Sequence, residues 1–158
     1  SDQDQVGRQH VALALQRFSA STPRPAAAPL RAGRVLYVED NLVNLELMKH
    51  IMERHHDLQL LSATSAATGL ELAYTHRPDL ILLDINLPDK NGYAALAELR
   101  ANPRTRNIPA VAVTASAMSS DKERALKAGF NEYIAKPIDV TDLDAMLARM
   151  LGRVAPVQ

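Results

Sequence analysis

The chain has 158 residues, 47% of them apolar and 23% charged, with 18 basic side chains balancing 18 acidic ones and no cysteine. That composition suits one folded domain with a short extension rather than a disordered chain. Zero net charge without Lys/Arg runs argues against a nucleic-acid binder, the lack of cysteine excludes disulfides and thiolate metal sites, and no signal-peptide pattern or apolar stretch near the ~18 residues of a membrane span is present, so a cytoplasmic chain is expected.

Residues 1–32 stand apart. Val11, Leu15 and Phe18 are spaced for a short helix with one narrow apolar stripe, and Pro23, Pro25 and Pro29 follow in a Ser/Ala-rich stretch that reads as an extended linker. From Arg34 the pattern becomes regular. Val35–Val38 is an apolar run stopped by Glu39-Asp40. A helix is predicted over 42–54, with Leu45, Met48 and Met52 on one face, widened by Leu47 and Ile51. Leu58–Leu61 is the second strand, followed by a helix burying Ala66, Leu70 and Ala73 and closed by Pro78. Asp79–Leu83 is the most hydrophobic run, ending at Asp84, and a helix from Gly92 to about Arg100 comes next. Pro109–Val113 ends at Thr114. Ser120 and Glu123 have capping-box spacing, and Gly129 is placed as a left-handed helix stop. Tyr133–Ala135 ends at Lys136-Pro137, and a last helix from about Asp139 or Thr141 buries Leu143, Met146, Leu147 and Met150. Five strands alternate with five helices, and the strands are apolar on both faces. The fold class is therefore α/β: a three-layer, doubly wound, five-stranded parallel sheet with an N-terminal extension. The divisions are 1–32 for the helix and linker, 33–152 for the domain and 153–158 for a tail.

Ligands of such sheets bind at the carboxyl ends of the strands. Here those ends carry Glu39 and Asp40, Asp84, Thr114, and Lys136. Three crowded acids call for a cation between them, and oxygen ligands with room for water suit Mg²⁺. A metal-bound Asp facing Lys and Thr is a place to receive and hold a phosphoryl group. Each residue alone has a plainer reading: Asp after a strand is usually a helix cap, Asn41 and Ser116 serve as turn residues, and a lone Lys is usually solvated. Joint placement at four strand ends of five sets those readings aside. A nucleotide or flavin binder would need a Gly-rich phosphate loop, and Glu39-Asp40-Asn41-Leu42 is the opposite. His50, His55 and His56, near the end of the first helix, read as solvated.

With these residues in hand, the sequence resembles the receiver domains of response regulators and hybrid histidine kinases over roughly residues 33–152. The matching motifs are Val38-Glu39-Asp40-Asn41, Leu83–Gly92, Val113-Thr114-Ala115 and Tyr133–Pro137, and intervals of 44, 30 and 22 residues separate Asp40, Asp84, Thr114 and Lys136. The resemblance implies a flavodoxin-like, receiver-type sheet. It makes Asp84 the phosphoacceptor, charged by a phosphohistidine on a kinase or phosphotransfer domain. Asp40, Asp84 and the Asn86 backbone carbonyl would bind Mg²⁺ directly, and Glu39 through a water. Lys136 and Thr114 would hold phosphoryl oxygens, Tyr133 would turn inward as Thr114 moves, and small Ala115 would leave the phosphoryl site accessible. Lys136-Pro137 resembles the family's cis peptide. A partner surface on the fourth helix, fifth strand and fifth helix would then serve output or self-association. No activity is expected beyond self-phosphorylation and dephosphorylation, and neither a nucleic-acid nor a membrane partner. The stretch from Val38 to Leu47 favours the C-terminal receiver of a hybrid kinase. A single-domain regulator and a non-phosphorylated interaction module are the alternatives.

Overall fold

In the computed structural model, which describes residues 33–115 and 118–152, the expected alternation is present. The elements are β1 (Gly33–Val38), α1 (Leu42–Met52), β2 (Leu58–Ala63), α2 (Ala66–His76), β3 (Leu80–Asp84), α3 (Gly92–Ala101), β4 (Ala110–Thr114), α4 (Ser119–Ala128), β5 (Glu132–Ala135) and α5 (Val140–Leu151). All strands pair in parallel in the order β2-β1-β3-β4-β5, so the chain winds outward in both directions from β1 and β3.

Successive strand side chains point to opposite faces, and here both faces are apolar. Leu36, Val38, Ile81, Leu83, Ala110 and Ala112 meet Ala66 and Leu70 of α2, Leu96 of α3 and Ala125 of α4 on one side. Val35, Tyr37, Leu80, Leu82, Val111 and Val113 meet Leu45 and Met48 of α1 and Leu143 and Leu147 of α5 on the other. These are the three layers of the sequence reading. Helix starts are capped by Asn41, Ser65, Asn91 and Asp139, whose side-chain oxygens accept first-turn N–H groups. Gly129 ends α4 in the left-handed region (φ 113°), as its sequence position predicts.

Four local expectations are corrected. Leu47 is 40% exposed, because the buried stripe of α1 runs through Leu45, Met48, Ile51 and Met52 and leaves Leu47 at its edge. The stripe of α5 closes on Leu151, and Met150 is only partly covered. Ser120 and Glu123 form no capping box: α4 begins at Ser119 behind Met118, which places Ser120 inside the first turn, and the N-cap position is Met118, whose side chain makes no capping hydrogen bond. His55 is buried rather than solvated. Its Nε2 lies 2.7 Å from Asp144 of α5, whose other oxygen accepts from Arg54 Nη1 at 2.5 Å. His50 and His56 are exposed, as expected. The predicted helix and linker of residues 1–32 and the tail 153–158 lie outside the described residues.

Candidate functional site

Parallel pairing sets the ends of β1, β3, β4 and β5 side by side, and the residues they deliver meet. Glu39, Asp40 and Asp84 each offer a carboxylate oxygen, all within 4.8 Å of one another. Lys136 Nζ lies 2.8 Å from Glu39 Oε1 and 2.9 Å from Asp84 Oδ2. Its backbone N–H donates to Thr114 O at 2.7 Å, which fixes the start of the Lys136-Pro137 turn against β4. That peptide is cis, as the sequence resemblance implies.

The three acids differ in their surroundings. Glu39 is fully buried and held from several sides: Tyr37 Oη (2.9 Å) and Asn44 Nδ2 (3.2 Å) donate to Oε1, and the Asn41 N–H (3.1 Å) donates to Oε2. Burial acts to raise its pKa, but donation from Lys136, Asn41 and Tyr37 outweighs it and holds the carboxyl below the usual range. Asp84 is also buried and accepts from the Asn86 N–H at 2.9 Å. Burial, reinforced by Glu39, pushes its carboxyl up to about 6 against the opposing pull of Lys136 and Asn86. Lys136 is raised: burial opposes its charge, and the two acids more than compensate. Asp40 is exposed, at the mouth of the cluster.

One ammonium against three carboxylates leaves a surplus of negative charge on hard oxygen donors, with one acid open to water. That donor set fits Mg²⁺, which favours carboxylate and carbonyl oxygens and retains waters. Cysteine, and with it thiolate ligation, is absent from the sequence.

The loop after Asp84 turns tightly. Gly92 N–H donates to Ile85 O at 2.7 Å, and a Cβ on Gly92 would lie 2.7 Å from Asp84 O, so only glycine permits this approach of loop and strand. Beside it, Thr114, Tyr133, Asn86, Tyr93 and Arg124 line a cleft of about 210 Å³. Tyr133 is half-buried, and its phenol is raised by burial first and then by Asp121. The Arg124 guanidinium sits 4.5 Å above the Tyr93 ring, which packs edge-on against Phe130 at 5.9 Å.

Every predicted site side chain thus falls at one end of the sheet: Lys136 in contact with Glu39 and Asp84, Asp40 within 4.8 Å of both acids, and Thr114 and Tyr133 at the adjoining cleft. Sequence reasoning missed Tyr37 and Asn44 as partners of Glu39. For Tyr37 the signal existed, since residues two apart on a strand share a face and a buried phenol needs an acceptor. Arg124 and Tyr93 carried no comparable signal.

The response regulator receiver domain family matches residues 35–148. The polar-differentiation response regulator DivK of Brucella anthropi is 38% identical over 118 residues, 75% of this chain and 95% of that one. Among solved structures, the receiver domain of sensor histidine kinase PA1611 of Pseudomonas aeruginosa, with a magnesium ion coordinated in its active site cleft, superposes with a TM-score of 0.69 at 34% identity, covering 77% of this chain and 99% of that one. The signal receiver domain of a signal transduction histidine kinase from Syntrophus aciditrophicus gives a TM-score of 0.69 at 31% identity, covering 80% and 96%.

Proposed function

This chain belongs to the response regulator receiver family, and from that premise we propose that it accepts a phosphoryl group on Asp84 from a phosphohistidine and thereby switches a partner-binding surface. In the step, a carboxylate oxygen of Asp84 attacks phosphorus, the P–O bond of an acyl phosphate forms, the P–N bond breaks and the imidazole leaves with its electron pair. The observation that carries the reading is the setting of Asp84. It is a buried acid at the end of β3, touched by Lys136 and crowded by two further carboxylates.

Each residue has a task that follows from its position. Lys136 reaches from β5 to Asp84 and holds positive charge where phosphoryl oxygens arrive. Glu39, pinned by Tyr37, Asn41 and Asn44, keeps Lys136 in place and would meet a cation through water. Asp40, exposed, would hold the cation directly together with Asp84 and the Asn86 carbonyl. A bound Mg²⁺ would supply charge neutralisation of the phosphoryl oxygens. Thr114, on the neighbouring strand end, would move to hydrogen-bond the phosphoryl group, and Tyr133 would follow into the space vacated. That would alter the face of α4, β5 and α5, where output partners or a second copy would bind.

The unit that acts is the segment 33–152, with residues 1–32 as a linker and 153–158 as a tail. A cytoplasmic setting is proposed with it; among the described residues no helix is long and apolar enough to cross a membrane. The context favoured is the C-terminal receiver of a hybrid histidine kinase, supported by the two kinase-borne receivers it superposes on. A single-domain regulator is the second reading, favoured by the nearly full-length match to DivK. Incubation with Mg²⁺ and a small phosphodonor should add one phosphoryl group, read by intact mass. Labelling of Asp84→Asn to the wild-type extent would overturn the assignment.

A further inference from the structure

Two chain segments must supply oxygen ligands to one cation in the proposed site: the end of β1, with Asp40, and the loop after β3, with the Asn86 carbonyl. The β1 side is well anchored. Gly69 of α2 lies against Val38, the residue before Glu39, so closely that a Cβ there would be 2.7 Å from Val38 Cγ2. Helix α2 is therefore seated on the strand end that carries the acids. On the loop side only Leu87 is buried in the core, while Asn86, Pro88 and Asp89 are all exposed.

Asp89 makes the connection. Its Oδ1 accepts from the Ala66 N–H at 2.9 Å and its Oδ2 from the Ala67 N–H at 3.0 Å. Helix α2 already has a cap in Ser65, whose Oγ accepts from the Thr68 N–H at 3.2 Å. The two first-turn donors that Ser65 leaves over are taken by a carboxylate 23 residues further along the chain. A negative group on donors at a helix N-terminus is electrostatically favoured, and these two N–H groups hold the Asp89 carboxyl below the usual range. Within the loop, Asn86 lies between two other fixed points, the Asn86 N–H bond to Asp84 and the Gly92 N–H bond to Ile85. Without Asp89 the stretch after the buried Leu87, from Pro88 to Asn91, would be tied among the described residues only to its own helix, through Asn91 capping α3 and the Lys90–Glu98 ion pair.

We infer that Asp89 is a positioning residue for the cation: it ties the loop after β3 to the N-terminus of α2, so that the Asn86 carbonyl is held in register with the acids at the end of β1. This rests on the Mg²⁺ reading of the site given above. Outer residues that orient metal ligands typically change affinity by about ten-fold or more when removed.

The test is Mg²⁺ titration of the full chain by two-dimensional amide NMR, for wild type, Asp89→Ala, Asp89→Asn and Lys90→Ala. Asp89→Ala should bind Mg²⁺ about ten-fold more weakly. Asp89→Asn, which keeps one acceptor oxygen but loses the charge, should fall between. Lys90→Ala, cutting only the ion pair to Glu98 of α3, should bind as wild type does. Thermal unfolding supplies a second readout. A merely structural brace would lower Tm equally with and without Mg²⁺, whereas loss of positioning should shrink the rise in Tm that Mg²⁺ produces. Unchanged Mg²⁺ affinity in Asp89→Ala, or an equal loss in Lys90→Ala, would overturn the inference while leaving the proposed function standing. Failure of wild type to bind Mg²⁺ would instead remove the reading on which it rests, and the inference with it.

Discussion

Asp84 should make the metal-free protein less stable as pH rises. Burial, with Glu39 beside it, pushes the carboxyl up to about 6 in the folded chain, whereas an unfolded aspartate ionises near about 4. Between those values the folded chain keeps a proton that the unfolded chain has released. Stability therefore falls across the window from about pH 4 to about pH 6 and stays lowered above it. A shift of about two pH units at about 1.4 kcal/mol each sets an upper figure near 3 kcal/mol. Glu39 is moved the opposite way, but it titrates in any variant that keeps it and so cancels when such a variant is compared with wild type, and a difference on the order of 2–3 kcal/mol is expected. Asp84→Asn removes this titration and keeps the side-chain shape. In metal-free buffer the variant should match wild type near pH 4 and exceed it by that amount above about pH 7, and saturating Mg²⁺ should then stabilise wild type more than the variant. Urea unfolding followed by far-ultraviolet circular dichroism across the pH range measures both. An Asp84→Asn protein no more stable than wild type at neutral pH, or an advantage that does not vary with pH, would refute the electrostatic account.

Three further outcomes are expected. Asp40→Ala should weaken Mg²⁺ binding in a calorimetric titration more than Glu39→Ala does, because Asp40 is open to the ion while both Glu39 oxygens are already engaged; equal losses would contradict the direct-versus-water distinction. Thr114→Ala should still be phosphorylated but show a diminished amide shift response over α4, β5 and α5, and an undiminished response would take Thr114 out of the switch. Asp144→Ala should destabilise the fold by about 3 kcal/mol, the lower part of the range for breaking a buried pair because Arg54 is 37% exposed, while leaving labelling of Asp84 intact; a loss within urea-titration error would show that the His55–Asp144–Arg54 cluster carries little.

The site was legible because its parts sit at strand ends, and strand ends are written locally: an apolar run, then an abrupt acid, hydroxyl or ammonium. A parallel sheet then gathers those ends without any further information from the sequence. What depends on the meeting of distant side chains was not legible. His55 and Asp144 are 89 residues apart, and nothing near His55 announces an acid on α5. The Asp89 ties to α2 are similar, since Asp89 reads as an ordinary loop acid until Ala66 and Ala67 are set beside it. The capping-box expectation failed for another reason. The spacing of Ser120 and Glu123 was right, but a cap works only at the residue where the helix begins, and that boundary lies at Met118.

Lys136 connects these observations. Its ammonium lies between Glu39 and Asp84, and it is a third of the way or less exposed, so it neutralises two buried acids that would otherwise repel each other. An ammonium has three donors and no acceptor, so one donor remains to be directed elsewhere without leaving either acid. Glu39 therefore has a use that does not require it to ligate anything: it keeps the lysine charged and aimed at the position where phosphoryl oxygens would stand. The buried Tyr37 hydroxyl serves that arrangement in turn. By donating to the same Oε1 that Lys136 contacts, it helps keep Glu39 ionised, and its own proton is held more tightly because burial and the Glu39 charge both oppose phenolate. The acid that sequence reasoning places farthest from the chemistry is thus the best-braced member of the site, while Asp84 is the one whose charge is disfavoured until a compensating cation or a new covalent bond changes its surroundings.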